Sequence, residues 1–313
     1  MPKNHQSDVM IIGSGPAGYT AAIYAARAGR ETIVVEGLQP GGQLTITTDV
    51  ENYPGFADVI QGPWLMQQMR AQAAHVGARL VSDMVASVDF SATPLRATGD
   101  NGDTYTARSV IITTGAQARW LGLPSEQKFN GRGVSACATC DGFFYRGKTV
   151  AVIGGGNTAA EEALYLANLA EKVYLVHRRD TLRAEKVLQN RVVEHPKIEP
   201  VWNHVVDEVI GGPGLIDGVT GLRLKGTNTG EPKEIAVEGM FVAIGHDPAT
   251  GIFKDQVTMD AAGYILTTAG GTETNVAGVF AAGDVTDHVY RQAVTAAGMG
   301  CMAALDADRY LGS

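Results

Sequence analysis

The run Ser135-Ala136-Cys137-Ala138-Thr139-Cys140-Asp141-Gly142 holds two cysteines at Cys-x-x-Cys spacing. Such a pair closes a small ring and can exchange it with a disulfide of another protein. Attack in that chemistry needs a thiolate, and the departing sulfur takes up a proton. Asp141, next to Cys140, is therefore the natural general acid or base; its other possible task is to N-cap a following helix. The chain has three cysteines, too few for a disulfide framework, and the third, Cys301, reads as a small buried hydrophobe on a helix. No metal is expected, because the seven histidines and Cys301 supply no second ligand pair at zinc spacing.

A glycine fingerprint lies on each side of the cysteines. The first follows the apolar run Val9-Met10-Ile11-Ile12 and reads Gly13-Ser14-Gly15-Pro16-Ala17-Gly18, leading into an alanine-rich helix over Tyr19–Ala28. In the order strand, turn, helix, the first glycine permits the tight turn and the second lets a pyrophosphate approach the backbone. The third lets helix and strand pack closely, and the helix N-H groups face the phosphate. The next strand, Thr32-Ile33-Val34-Val35, ends in Glu36, 36 − 18 = 18 residues beyond the last glycine. An acid at about 20 residues is where a dinucleotide fold grips ribose hydroxyls.

The second fingerprint follows Thr149-Val150-Ala151-Val152-Ile153 and reads Gly154-Gly155-Gly156-Asn157-Thr158-Ala159, with a helix expected over Ala160–Leu169. The strand after it, Lys172–Val176, ends in His177-Arg178-Arg179, with Arg183 shortly beyond. Positive charge stands where the first site has an acid. A 2′-phosphate is repelled by a carboxylate and bound bidentately by guanidinium groups, so the second site is expected to take NADP(H). An acid at the first site suits FAD or NAD. Because a nicotinamide exchanges electrons poorly with a disulfide while a flavin accepts hydride and hands a pair onward, FAD is expected there.

The elements that must position these residues fit two α/β domains in a chain of 313 residues, with 45% hydrophobic and 19% charged residues. A net charge of −8 argues against a nucleic-acid surface. No apolar run approaches the ~18 residues of a membrane span, and the polar start Met1–Asp8 lacks the features of a signal peptide; a cytoplasmic protein is expected. The strands Ser109–Thr114 and Met240–Ile244 both finish in glycine, at Gly115 and Gly245, where the chain would pass between domains. A further strand closes on Gly283-Asp284 before a helix that begins near Tyr290-Arg291-Gln292-Ala293. The economical architecture is a Rossmann-like NADPH domain over 117–246 inserted into a Rossmann-like FAD domain made of 1–116 and 247–313, each of three-layer ββα type.

In order and spacing, the two fingerprints, Gly41-Gly42-Gln43-Leu44, the Cys-x-x-Cys run, His177-Arg178-Arg179 and Gly283-Asp284 resemble the bacterial low-molecular-weight thioredoxin reductases over essentially the whole chain. The resemblance implies FAD contacts from Ser14 to Ala17, Glu36, Gln43, Asn52, Asp284 and Arg291 to Ala293. It implies NADPH contacts from Asn157, Thr158, Arg178, Arg179 and Arg183, with His177 in the same motif. It also implies a homodimer whose protomers swing between two domain orientations, Cys140 nearer the isoalloxazine, Cys137 as attacker of thioredoxin, and Asp141 as acid–base group.

Two other readings stay in the fold: a flavoprotein dithiol oxidase and a peroxiredoxin-linked disulfide reductase. The first has no need of the two-arginine phosphate grip. The second carries an extra N-terminal thioredoxin-like unit, for which a fingerprint starting at Gly13 leaves no room. A non-enzymatic redox sensor is the reading from another class, and multiple-turnover NADPH consumption excludes it.

Overall fold

A computed structural model describes residues 2–46, 49–212, 214 and 217–312. The chain forms two compact units, Met1–Gln117 with Asp247–Ser313, and Ala118–His246.

The first unit is built on strand Asn4–Ile12, which pairs in parallel with Thr32–Val35 on one side and Thr104–Ile112 on the other. Arg79–Val81 extends the sheet beyond Thr32–Val35, and Val279–Ala281 adds to Thr104–Ile112 in parallel. Leu95–Gly99 and Val85–Asp89 continue from Thr104–Ile112 as an antiparallel meander. The apolar run at Val9 is continuous because both faces are covered. Val9 and Ile11 pack on the helices Pro16–Arg27, Gly62–His75 and Ala293–Gly312, while Met10 and Ile12 pack on a second core with Tyr105, Phe253 and Ile265.

The second unit repeats the plan. Its parallel sheet runs in the order Val134–Ser135, Gly239–Ala243, Thr149–Gly154, Lys172–His177, Ile198–Trp202. Helix Asn157–Ala167 covers one face, and the antiparallel strands His204–Gly211, Val219–Gly226 and Pro232–Ala236 cover the other. Each unit is thus a Rossmann-type α/β layer with β-strands added on the face away from its helices.

Both nucleotide helices begin inside their fingerprints, earlier than the sequence periodicity implies. Pro16 opens the first helix, where its fixed φ and missing N-H cost nothing. Asn157 opens the second. Cys301 lies on helix Ala293–Gly312 but is half-buried, not enclosed, because it stands beside the exposed Tyr24.

Small residues let the first and last helices approach. A Cβ on Gly300 would stand 2.2 Å from the Ala17 carbonyl oxygen, while one on Gly298 meets nothing within 4 Å. Replacing Gly300 with Ala must push the helices apart, at a cost of about 1–3 kcal/mol. Thermal unfolding should therefore show a Tm lowered by roughly 5 °C for Gly300→Ala, with Gly298→Ala unchanged or slightly stabilised.

Candidate active site and cofactor cradles

The cysteine ring grows from the end of strand Val134–Ser135. Cys137 is the N-cap of a single helical turn, Ala138–Asp141. Ala138 is fully buried against the helix Asn157–Ala167. A Cβ on Gly142 would come within 3.0 Å of Leu166, so this turn is seated tightly. The anchoring turns Thr139 and Cys140 outward, and both are exposed. Cys137 and Cys140 are joined as a disulfide with Cα atoms 5.3 Å apart.

The two sulfurs have different surroundings. The Cys137 Sγ accepts from the Cys140 N-H at 3.2 Å and lies 3.4 Å from the Thr139 hydroxyl. Donors aimed at a sulfur favour its thiolate form. The Cys137 N-H donates to Ser135 Oγ at 3.1 Å. Burial raises the Asp141 carboxyl above its ordinary range, against a hydrogen bond with Ser135 that lowers it. Asp141 makes no side-chain cap to the following turn, Gly142–Tyr145. Its carboxyl is thus not a capping group. Burial, with Asp141 and Glu238 nearby, pushes the Tyr145 hydroxyl up to about 12.

At the first fingerprint the glycines divide their tasks. Gly13 has φ +108°, and a Cβ there would lie 2.4 Å from the Thr113 carbonyl oxygen; one on Gly18 would lie 2.2 Å from that of Gly13. A Cβ on Gly15 would meet nothing within 4 Å. Two glycines therefore serve packing, and the middle one faces open space in front of the helix N-terminus, which fits a pyrophosphate. Ser14 Oγ donates to the Glu36 carbonyl at 2.6 Å and accepts from the Gly41 N-H at 3.1 Å. That bond lays Gly41, Gly42 and the turn carrying Gln43 and Leu44 against Gly15, since a Gly42 Cβ would stand 3.3 Å from the Gly15 Cα.

Residues far apart in sequence meet around this turn. Gly283 (φ +82°) puts its Cα side against Ala17, which brings Asp284 to the start of the helix. The Asn52 amide is 3.4 Å from the Gln292 amide oxygen. Arg291, in a left-handed conformation at φ 48°, donates its N-H to Asp287 at 3.1 Å, just ahead of the helix that Ala293 opens. Asp284 is pushed up to about 6 by burial, with Asp287 adding and Arg291 opposing.

Glu36 departs from the expected acid open to a ribose. Its side chain has no accessible surface. Tyr19 Oη donates to Oε1 at 2.8 Å, Arg70 Nε to Oε1 at 2.7 Å, and Arg70 Nη2 to Oε2 at 3.0 Å. Burial alone would raise its carboxyl, but the bonds from Arg70 and Tyr19 outweigh it and hold the group below the usual range. Sequence reading missed Tyr19, Arg70 and Asp287. Arg70 belongs to no motif, and only the packing of helix Gly62–His75 brings it here.

The second fingerprint repeats the division of labour. A Cβ on Gly154 would be 2.3 Å from the Ala243 carbonyl oxygen, while one on Gly156 would meet nothing within 4 Å. The His177 ring fills the space under Gly155, whose Cβ would lie 2.2 Å from Cε1. Burial, with Arg183 and Arg178 adding, lowers the pKa of His177. The Arg183 N-H donates to the Gly155 carbonyl at 2.6 Å. The Asn157 Oδ1 accepts the Glu185 N-H at 2.9 Å, which fastens the arginine loop to the helix that also carries Thr158. Arg178, Arg179 and Arg183 are exposed, and among the described residues none is in an ion pair. This cradle fits a dinucleotide with an additional phosphate.

The family of pyridine nucleotide-disulphide oxidoreductases matches residues 7–300. A thioredoxin reductase of Rickettsia conorii is 58% identical over 303 residues, 97% of each chain, and one of Coxiella burnetii is 55% identical over 100% of this chain and 99% of that one. Among solved structures, a thioredoxin reductase from Giardia duodenalis superposes with a TM-score of 0.94 at 43% identity, covering 99% of this chain and 100% of that chain. The chain belongs to the thioredoxin reductase branch of the pyridine nucleotide-disulphide oxidoreductases. Members of that branch contain FAD and use NADPH.

The raised Asp284 carboxyl has a consequence for this thioredoxin reductase family member without its flavin. The ordinary value is 3.8 and the folded value about 6, so the folded chain holds this proton more tightly than the unfolded one. The charge penalty is absent below both values and complete above the higher one. Asp284→Asn in the flavin-free chain should therefore add about 3 kcal/mol of stability at pH 8. In urea unfolding series that gain should shrink steadily from pH 6 towards pH 4.

Proposed function

We propose that this chain is an NADPH-dependent thioredoxin reductase that works as a cytoplasmic homodimer. The observation that carries the reaction is the Cys137–Cys140 disulfide, whose two sulfurs differ in their surroundings, with the Asp141 carboxyl raised by burial next in the chain. The unit of Met1–Gln117 and Asp247–Ser313 takes FAD, and Ala118–His246 takes NADPH. Gly13 to Gly18, Gly41 to Leu44, Asn52, Gly283, Asp284 and Arg291 to Ala293 surround the flavin dinucleotide. Gly154, Gly156 and Thr158 meet the NADPH pyrophosphate, and Arg178, Arg179 and Arg183 its 2′-phosphate; His177 and Asn157 hold that loop in place.

FAD held in the first unit would supply a two-electron relay between NADPH and the Cys137–Cys140 disulfide. Reduction by one hydride equivalent breaks the S–S bond and leaves a Cys137 thiolate and a Cys140 thiol, and Asp141 supplies the further proton to the thioredoxin sulfur displaced in the next step. The Cys140 N-H and the Thr139 hydroxyl stabilise negative charge on Cys137, which favours Cys137 as the nucleophile. Its thiolate attacks a sulfur of oxidised thioredoxin, forms a mixed disulfide and releases one thioredoxin thiol. Cys140 then attacks the Cys137 sulfur, restores the intramolecular disulfide and frees reduced thioredoxin.

Three cysteines with one exchangeable pair suit a reducing compartment. The exposed Tyr24, Met302 and Leu305, on the first and last helices of one unit, support a partner surface and so the homodimer.

NADPH oxidation followed at 340 nm, with and without oxidised thioredoxin, tests the reading. Consumption should depend on thioredoxin, and equal consumption in its absence would favour the dithiol-oxidase alternative. Cys140→Ser should abolish thioredoxin turnover while NADPH still bleaches the flavin; unchanged turnover would rule out its role. Arg178→Ala with Arg179→Ala should raise the KM for NADPH by about 100-fold and that for NADH by less than about threefold, and equal losses would refute the phosphate grip.

A further inference from the structure

We propose that Ser135 is a positioning residue for the disulfide exchange: its hydroxyl joins the Asp141 carboxyl to the backbone of Cys137, so that the attacking residue registers whether the acid holds its proton. This rests on the reading of Asp141 as the acid–base group.

Ser135 is held by the sheet. It ends the strand Val134–Ser135, which pairs in parallel with Gly239–Ala243 and sets Ser135 opposite Phe241. The residue is buried, and its hydroxyl reaches over Cys137. Ser135 Oγ accepts the Cys137 N-H at 3.1 Å and lies 3.4 Å from the Cys137 carbonyl oxygen. That carbonyl also accepts the Asp141 N-H at 3.2 Å. Ser135 and Asp141 therefore meet at the backbone of the same cysteine, and the hydroxyl bonds the Asp141 carboxyl as well.

A serine hydroxyl has one proton to give and two lone pairs to offer. The Cys137 N-H takes one lone pair. While Asp141 is ionised its carboxylate can only accept, so the serine proton goes to it. Once Asp141 is protonated, its O-H donates to the second lone pair, and the serine proton turns to the Cys137 carbonyl oxygen. Both arrangements satisfy every donor, and the Cys137 N-H stays held in each. The change is the direction of one O-H, which alters the polarity of the peptide unit that carries the nucleophile.

The same hydroxyl governs the acid. Burial favours the protonated carboxyl and the bond from Ser135 opposes it, so Asp141 keeps a proton that it can still release. The other titratable groups around this turn are Tyr145, whose hydroxyl feels Asp141 and Glu238, and Tyr165, whose ring would stand 3.2 Å from a Cβ on Gly142.

Cysteine labelled at its carbonyl carbon, combined with nitrogen-labelled alanine, isolates the Cys137–Ala138 peptide bond for nuclear magnetic resonance, because Cys140 and Cys301 precede Asp141 and Met302. In the oxidised, flavin-loaded protein the two sulfurs are joined and do not titrate. The Cys137 carbonyl shift should then follow one step, centred above the ordinary aspartate range. That step should vanish in Asp141→Asn, which assigns it, and also in Ser135→Ala. A step kept in Ser135→Ala overturns the proposal, since the signal would then reach Cys137 through the Asp141 N-H. So does a carbonyl that fails to titrate in the unaltered chain, a result that stands whether or not Ser135→Ala folds. In turnover, the limb of kcat/KM for thioredoxin against pH that Asp141→Asn removes should move upward by about one pH unit in Ser135→Ala, roughly a tenfold gain in proton affinity. An unmoved limb overturns the coupling. A pH profile that Asp141→Asn leaves unchanged overturns the acid–base reading itself, and this proposal with it.

Discussion

Backbone must meet backbone at a dinucleotide turn more closely than any side chain permits, and each unit of this chain is arranged around that approach. In the first unit, Gly13 lies against Thr113 and Gly18 against Gly13, with the Thr113 hydroxyl 3.0 Å from the carbonyl oxygens of both Ile12 and Gly13. In the second, Gly154 lies against Ala243. These contacts fix strand, turn and helix as one piece. They also leave Gly15 and Gly156 facing open space, with the helix N-H groups behind them. The alanines of the first and last helices extend the same logic to the layer outside, where Gly300 lets one helix rest on Ala17 of the other.

Polar groups finish what the glycines begin. Ser14 links the turn to strand Thr32–Val35 and to the Gly41-Gly42 segment with one hydroxyl, giving one bond and accepting another. In the second unit the corresponding work is divided among the His177 ring, the Arg183 N-H and the Asn157–Glu185 pair. The two solutions differ in charge. In the first unit a buried acid is matched by Arg70, whereas in the second Arg178, Arg179 and Arg183 are exposed and, among the described residues, outside any ion pair.

The disulfide depends on packing of another kind. Ala138 and Gly142 are held on the helix Asn157–Ala167, so a four-residue turn is rigid enough to aim the Cys140 N-H at the Cys137 sulfur. Ser135 ties the strand end to Cys137 and to Asp141. Neighbouring residues of one short segment therefore receive opposite environments: donors for one sulfur, burial for the carboxyl.

The sequence by itself determined the chemistry and the repeated plan. Cys-x-x-Cys spacing, two glycine fingerprints in strand–turn–helix order and the contrast of Glu36 with Arg178-Arg179 are local patterns, and local patterns survive without knowledge of the fold. The helix starts at Pro16 and Asn157 were harder to place, because periodicity gives elements more firmly than their ends. Only the tertiary structure decided what each polar group does. It buried Glu36 beneath Arg70 from a helix with no motif, turned Asn157 to Glu185, and put Asp141 against Ser135 instead of a helix cap. Those outcomes depend on which surfaces pack together, and that is set by the whole core and not by spacing along the chain.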